Sequence, residues 1–140
     1  MNYFEEEDDE EMEIDGDTLE DEIFLIDTLN QQPFKNVDIY IQCSEVDLTE
    51  NLREILIVSE FAWGLKIKLT PKHKQILLSE LISHHVHVWF ANLEARLFNV
   101  KLFELYDGCE IGTFSKNLNI PKWFFEKYSK TGRFTLAEEW

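Results

Sequence analysis

Thirteen carboxylates crowd the first 22 residues of this chain: Glu5, Glu6, Glu7, Asp8, Asp9, Glu10, Glu11, Glu13, Asp15, Asp17, Glu20, Asp21 and Glu22. No Lys or Arg interrupts them. A block of one charge at that density does one kind of chemistry, the binding of cations, either metal ions or the basic surface of another protein. The asymmetry is strong. The chain carries −15 at neutral pH, yet residues 23–140 hold 13 basic and 15 acidic groups and are nearly neutral.

The metal reading has two places to stand. Counting twelve positions from Glu11, a calcium loop would have Glu13 third, Asp15 fifth, Gly16 sixth and Glu22 last. The Gly and the closing Glu fit. Glu11 and Glu13 stand where shorter Asp or Asn side chains are needed, and residues 5–10 supply no apolar helix ahead of the loop. The second place is His84, His85 and His87. On a strand, His85 and His87 would face one way, as a metal pair needs. The run His85-Val86-His87-Val88-Trp89 also resembles a truncated histidine-triad signature, with Trp89 where that family has its third His. That departure puts the nucleophile in question. His73, Cys43 and Cys109 are remote and complete no ligand set. The reading is therefore a strand face of polar rings beside Trp89, with no metal and no cofactor, His85 and His87 being the candidates should a metal bind. No GxSxG and no local cysteine signature supports nucleophilic catalysis.

From Arg96 to Arg133 the chain is mildly basic, with Lys122, Lys127 and Lys130 among the aromatics of a C-terminal helix. Cations among aromatics suit nucleic acid, but the acidic arm would repel the same polyanion, so no direct nucleic-acid contact is expected. An internal use is the alternative: the arm folds back over this patch and screens it.

The elements that must hold these groups follow from periodicity. Residues 1–17 are low in complexity and self-repelling, and read as a disordered arm. Residues 18–140 read as a single domain. Leu19, Ile23, Ile26 and Leu29 recur at helical spacing, so a helix is expected over 18–31, with a strand at 23–28 as its rival. Val37, Ile39, Ile41 and Cys43 alternate with polar residues as a half-buried strand. Asp47 and Glu50 fit a capping box, which predicts a helix over 48–62 closed by Gly64, with a buried strand at Ile57-Val58 competing. Leu65–Leu69 reads as a strand, and Thr70-Pro71 opens a helix over 71–84. Strands are expected at 85–91, along the apolar run 96–106, and at 109–114 after an Asp107-Gly108 hairpin turn. A helix over 121–129 and an edge strand over 133–136 close the chain. The order is not a strict strand–helix alternation. It predicts an α+β domain, a mixed and mostly antiparallel sheet packed with three to four helices and preceded by the acidic arm.

No run of about 18 apolar residues predicts a membrane span. The acidic start is unlike a secretory signal, which predicts a cytoplasmic protein. Cys43 and Cys109 read as reduced thiols, with a disulfide between them as the alternative.

The segment Leu102 to Tyr128, LFELYDGCEIGTFSKNLNIPKWFFEKY, carries a turn YDG, a run EIGTFSK and a helix start IPKWF. In these it resembles the closing region of small immunity proteins of bacterial toxin–immunity systems. The resemblance implies a cytoplasmic, non-enzymatic inhibitor of one cognate toxin, and no residue role is carried over. Charge points the same way, since carboxylates can occupy a groove built for phosphates. The expectation is a stoichiometric binding protein whose arm, Glu5 to Asp17, engages a basic protein such as a nuclease or nucleic-acid-binding protein, with Trp123 and Trp140 as aromatic anchors. An immunity protein and a phage-type antagonist of a nucleic-acid-targeting system are equal versions. The alternatives are an enzyme or ligand-binding domain using the His85/His87 face, and a structural subunit of an assembly.

Overall fold

The computed structural model describes residues 16–43, 48–60, 64–138 and 140. It is an α+β domain of two layers. Strands β1 (Asp38–Gln42), β2 (Ile57–Val58), β3 (Leu65–Lys68), β4 (Asn92–Leu97), β5 (Val100–Tyr106), β6 (Ile111–Ser115) and β7 (Phe134–Ala137) form one sheet in the order β2-β3-β1-β4-β5-β6-β7. All neighbours are antiparallel except β6 and β7. Helices α1 (Gly16–Asn30), α2 (Glu50–Ile55), α3 (Pro71–His84) and α4 (Lys122–Tyr128) share one core with the sheet.

Cross-strand pairs show how the layers divide. Ile39 lies opposite Ile67 and Ala95, Leu93 opposite Leu105, and Phe103 opposite Ala95 and Phe114. These side chains are buried with Phe24, Leu25 and Leu29 of α1, Leu52 of α2, Leu77 and Leu81 of α3, and Phe124 of α4. The opposite face is polar: Tyr40 faces Lys66 and Glu94, and Glu94 faces Glu104. Like charges directly opposite destabilise a sheet. Here Arg96 bonds Glu94, and Lys101 lies 3.0 Å from Glu104 and 3.8 Å from Glu94, which neutralises the pair. Tyr40 is buried rather than solvent-facing, and its hydroxyl donates to Glu60 at 2.7 Å. With a further bond from Lys66, that holds the Glu60 carboxyl down at about 2.

Local signals explain the elements that match the sequence. Thr70 caps α3, its hydroxyl accepting from the His73 N–H at 3.1 Å, with Pro71 in the first turn. Pro121 precedes α4, and β7 is an edge strand. Helix α1 forms over the region where a strand at 23–28 was the rival, and begins at Gly16.

Three stretches depart from expectation. The helix expected over 48–62 ends at Ile55, because the β-branched Ile57 and Val58 leave it to pair with β3. That strand is exposed, not buried. Thr49 is the cap, its hydroxyl accepting from Leu52, while Asp47 lies outside the described residues. Gly64 closes no helix. It sits at φ +81 entering β3, where a Cβ would stand 2.5 Å from the Ile41 carbonyl oxygen. Gly64→Ala should therefore cost about 2 kcal/mol or more, read as a lower urea midpoint. A loss under about 0.5 kcal/mol would show that the turn relaxes freely.

The strand expected at 85–91 is absent. His85 adopts a left-handed conformation (φ 51) that ends α3, and Val86–Trp89 form a 3-10 turn. The chain needs this reversal to leave α3 and join β4 beside β1. The run 96–106 is two strands, because Phe98 and Asn99, both at positive φ, make the tight turn between β4 and β5. At the next hairpin Asp107, Gly108 and Cys109 all have positive φ, so the loop runs to Glu110 and pairing resumes at Ile111.

Candidate functional site: the base of the acidic arm

The acidic run enters the fold as α1, and its last carboxylates are bound to the body. Asp21 Oδ1 accepts from Arg133 Nη1 at 2.5 Å, and Glu20 lies 3.4 Å from Nη2. Arg133 Nη1 also donates to the Glu110 carbonyl at 3.0 Å, and the guanidinium lies 5.9 Å from the Phe24 ring centre. Burial alone would lower the Arg133 pKa. The bond to Asp21 and the charges of Asp21 and Glu20 more than offset it and raise the value. Nearly two turns further on, Asp27 Oδ2 accepts from Lys127 Nζ at 2.8 Å and from the Tyr128 hydroxyl at 2.5 Å. Burial and that bond push the Tyr128 hydroxyl well up. Apolar packing runs beneath these contacts, with the Phe24 ring stacked 6.1 Å from Phe124 and tilted against Tyr128 at 4.8 Å. Between α1 and the C-terminal segment lies an open recess of about 400 Å³, lined by Glu20, Ile23, Lys127, Tyr128, Thr131 and Arg133.

The histidines join the same assembly. With no strand at 85–91, His85 and His87 form no shared outward face. His85 Nδ1 meets Glu22 Oε2 at 2.5 Å. His87 is 1 % exposed, and its Nε2 lies 3.0 Å from the Thr18 carbonyl oxygen. That carbonyl can only accept, so Nε2 carries the proton and Nδ1 is the bare nitrogen of the neutral ring. Nδ1 has no hydrogen-bond partner among the described residues and lies 3.9 Å from Glu22 Oε2. Among the described residues no group of three His, Cys, Asp or Glu is placed to hold a metal ion.

The His87 ring gives a pH dependence. Burial lowers its pKa below the ordinary 6.5, outweighing the Thr18 carbonyl and the charges of Glu22 and Asp21, while His85 adds to the lowering. The fold therefore prefers the neutral ring and the unfolded chain binds the proton more readily. This contribution is complete above pH 6.5 and is lost as pH falls through the depressed folded value. Urea unfolding across that range should show the native chain losing more stability on acidification than His87→Gln. Parallel curves would contradict this.

Of the residues expected to bind a partner, the structure describes Asp17, Trp123 and Trp140. Glu5, Glu6, Glu7, Asp8, Asp9, Glu10, Glu11, Glu13 and Asp15 lie outside the described residues, while the last seven positions of the calcium-loop alignment, 16–22, are helical in α1, with Glu22 bonded to His85. Asp17 is exposed in the first turn of α1. Trp123 is 45 % exposed on α4, edge-on to Phe124. Trp140 is only partly exposed. Lys101 stands 4.6 Å over its ring, and Ser115 and Asn117 each donate to its main-chain oxygen at 3.1 Å. It lies on the polar sheet face, on the far side of the sheet from the α4 helix that carries Trp123. Cys109 is a buried thiol whose pKa burial raises, and it is not bonded to Cys43.

Arg133, Asp21, Asp27 and Tyr128 were not singled out from the sequence as site residues, although Arg133 and Lys127 belong to the basic patch that an inward fold of the acidic run would meet. No helix among the described residues is long and apolar enough to cross a membrane. No family model matches the chain, and no curated protein or solved structure matches it at a significant level.

Proposed function

We propose that the chain is a non-enzymatic binding protein that inhibits a basic partner at one-to-one stoichiometry, with the N-terminal carboxylates as its gripping surface. One observation carries this reading. Of the thirteen carboxylates in the first 22 residues, Glu20, Asp21 and Glu22 are engaged within the body, and the ten from Glu5 to Asp17 lie upstream of that network. The acidic run is thus anchored to the body at its C-terminal end, and ten of its carboxylates precede that anchor in sequence. An anchor of that kind limits how far a charged segment wanders, which lowers the ordering cost of binding. Ten carboxylates in sequence match a cationic groove of the kind that carries nucleic acid, and complementary charge speeds encounter. A toxin-immunity protein, as the resemblance of Leu102–Tyr128 implies, is one form. An antagonist of a nucleic-acid-targeting protein is the other.

The test is parallel capture from the source cells with the full chain and with residues 16–140 as bait. The expected result is one basic protein held at unit stoichiometry by the full chain and depleted from the truncated bait. Identical captures from both baits would reject the arm as the gripping surface.

A further inference from the structure

A groove of about 440 Å³ runs between α2 and α3, lined by Asn51, Glu54, Gln75, Ile76, Ser79 and Glu80. Two of these are carboxylates and none is a cation. Glu80 is 4 % exposed. Its Oε2 accepts from Asn51 Nδ2 at 3.1 Å, and Thr49 supplies a further side-chain bond. Its Oε1 is buried with no hydrogen-bond partner among the described residues. A buried acceptor left unmatched is costly, the more so when it carries charge. Burial pushes the Glu80 carboxyl up, but the bonds from Thr49 and Asn51 and the neighbouring His84 hold it below the usual carboxylate range. The group is therefore an anion in a wall of the groove, with the exposed Glu54 on the facing helix.

We propose that this groove binds an arginine side chain of a partner protein, with the guanidinium against Glu80 and Glu54 and the methylene stem along Ile76. Several features select arginine. Asn51 uses its amide nitrogen on Glu80, which leaves its carbonyl oxygen as an acceptor beside the carboxylates, and Gln75 and Ser79 add others. Acceptors spread over several residues suit five donors in one plane better than the compact, strongly hydrated ammonium of lysine. The half-buried Ile76 offers apolar surface to the stem, as long cationic side chains prefer. The proposal deepens the binding reading by naming a side chain the basic partner would present. None of the six lining residues belongs to α1.

The experiment titrates the isotope-labelled full chain with N-acetyl-arginine methylamide and, separately, with the lysine analogue at equal ionic strength, followed by amide chemical shifts. Saturable shifts at Asn51, Glu54, Ser79 and Glu80, at several-fold lower concentration for the arginine probe, are expected. Glu80→Gln should abolish saturation. Glu54→Lys, at an exposed position that leaves the fold intact, should weaken the arginine probe about tenfold. Linear shifts without saturation, equal responses to the two probes, or an unchanged response in Glu54→Lys would overturn the proposal. The probe is a single amino-acid derivative and the arm stays in place. A negative result therefore rejects the groove without touching the arm, and a partner indifferent to the arm rejects the arm without touching the groove.

Discussion

Phe24→Ala is expected to lower the unfolding free energy by about 4 kcal/mol. Phe24 is fully buried and meets Phe114 of β6 edge-on at 6.2 Å, Phe124 stacked at 6.1 Å and Tyr128 at 4.8 Å. Removing the ring loses its transfer free energy and leaves a cavity whose walls come from a sheet and two helices. Those walls cannot close without moving a backbone. The aromatic contacts add about 0.5–1.5 kcal/mol per pair beyond burial. Phe24→Leu, which refills most of the volume, should cost only about 1.5 kcal/mol. Chemical denaturation of the three proteins measures both differences. A loss under about 1.5 kcal/mol for Phe24→Ala would mean that α1 packs more loosely than its ring geometry implies.

The second large effect is at Arg133. Its side chain is 16 % exposed and serves Asp21, Glu20 and the Glu110 carbonyl at once. Arg133→Ala strands the Asp21 carboxylate, itself only 19 % exposed, and leaves the carbonyl without its donor. For a partly buried pair that loss should be about 2–3 kcal/mol, below the cost of breaking a fully buried one. A double-mutant cycle with Asp21→Asn should return a coupling of about 1–2 kcal/mol. Independent, additive losses would show that the contact contributes nothing of its own. The pair also ties the arm to the body, so hydrogen exchange in the first turns of α1 should rise in Arg133→Ala while the β4–β5 hairpin stays protected.

What the sequence reveals and what it hides divide along a physical line. Helix starts are local. Thr70-Pro71 and Pro121 fix the openings of α3 and α4 from adjacent residues, and the 3.6-residue spacing of Leu19, Ile23, Ile26 and Leu29 predicts the helix α1 but not its buried face, since Leu19 and Ile23 are exposed and Phe24, Leu25 and Leu29 enter the core. Alternation likewise identifies β1. The turn at Phe98-Asn99 is hidden because an apolar aromatic residue occupies a positive-φ position where Asn, Asp or Gly is the usual signal. The stretch 85–91 misleads because Val86, Val88 and Phe90 alternate by chance, while the reversal after α3 is dictated by where β4 must pair. In the candidate site, the charge block is plain in the sequence, but its division is not. Asp21 and Arg133 are 112 positions apart, and only the fold brings them together. Glu22 and His85, 63 positions apart, are the same case.

The proposed inhibition rests on the arm upstream of α1 gripping cationic surface. The most direct measurement is the association rate of the captured basic partner with the full chain and with residues 16–140, from about 25 mM to about 0.5 M salt, a range over which screening shortens from roughly 20 Å to a few ångströms. The full chain should associate at least about tenfold faster at low salt, with the advantage vanishing at high salt. Equal rates with equal salt slopes for the two chains would contradict it.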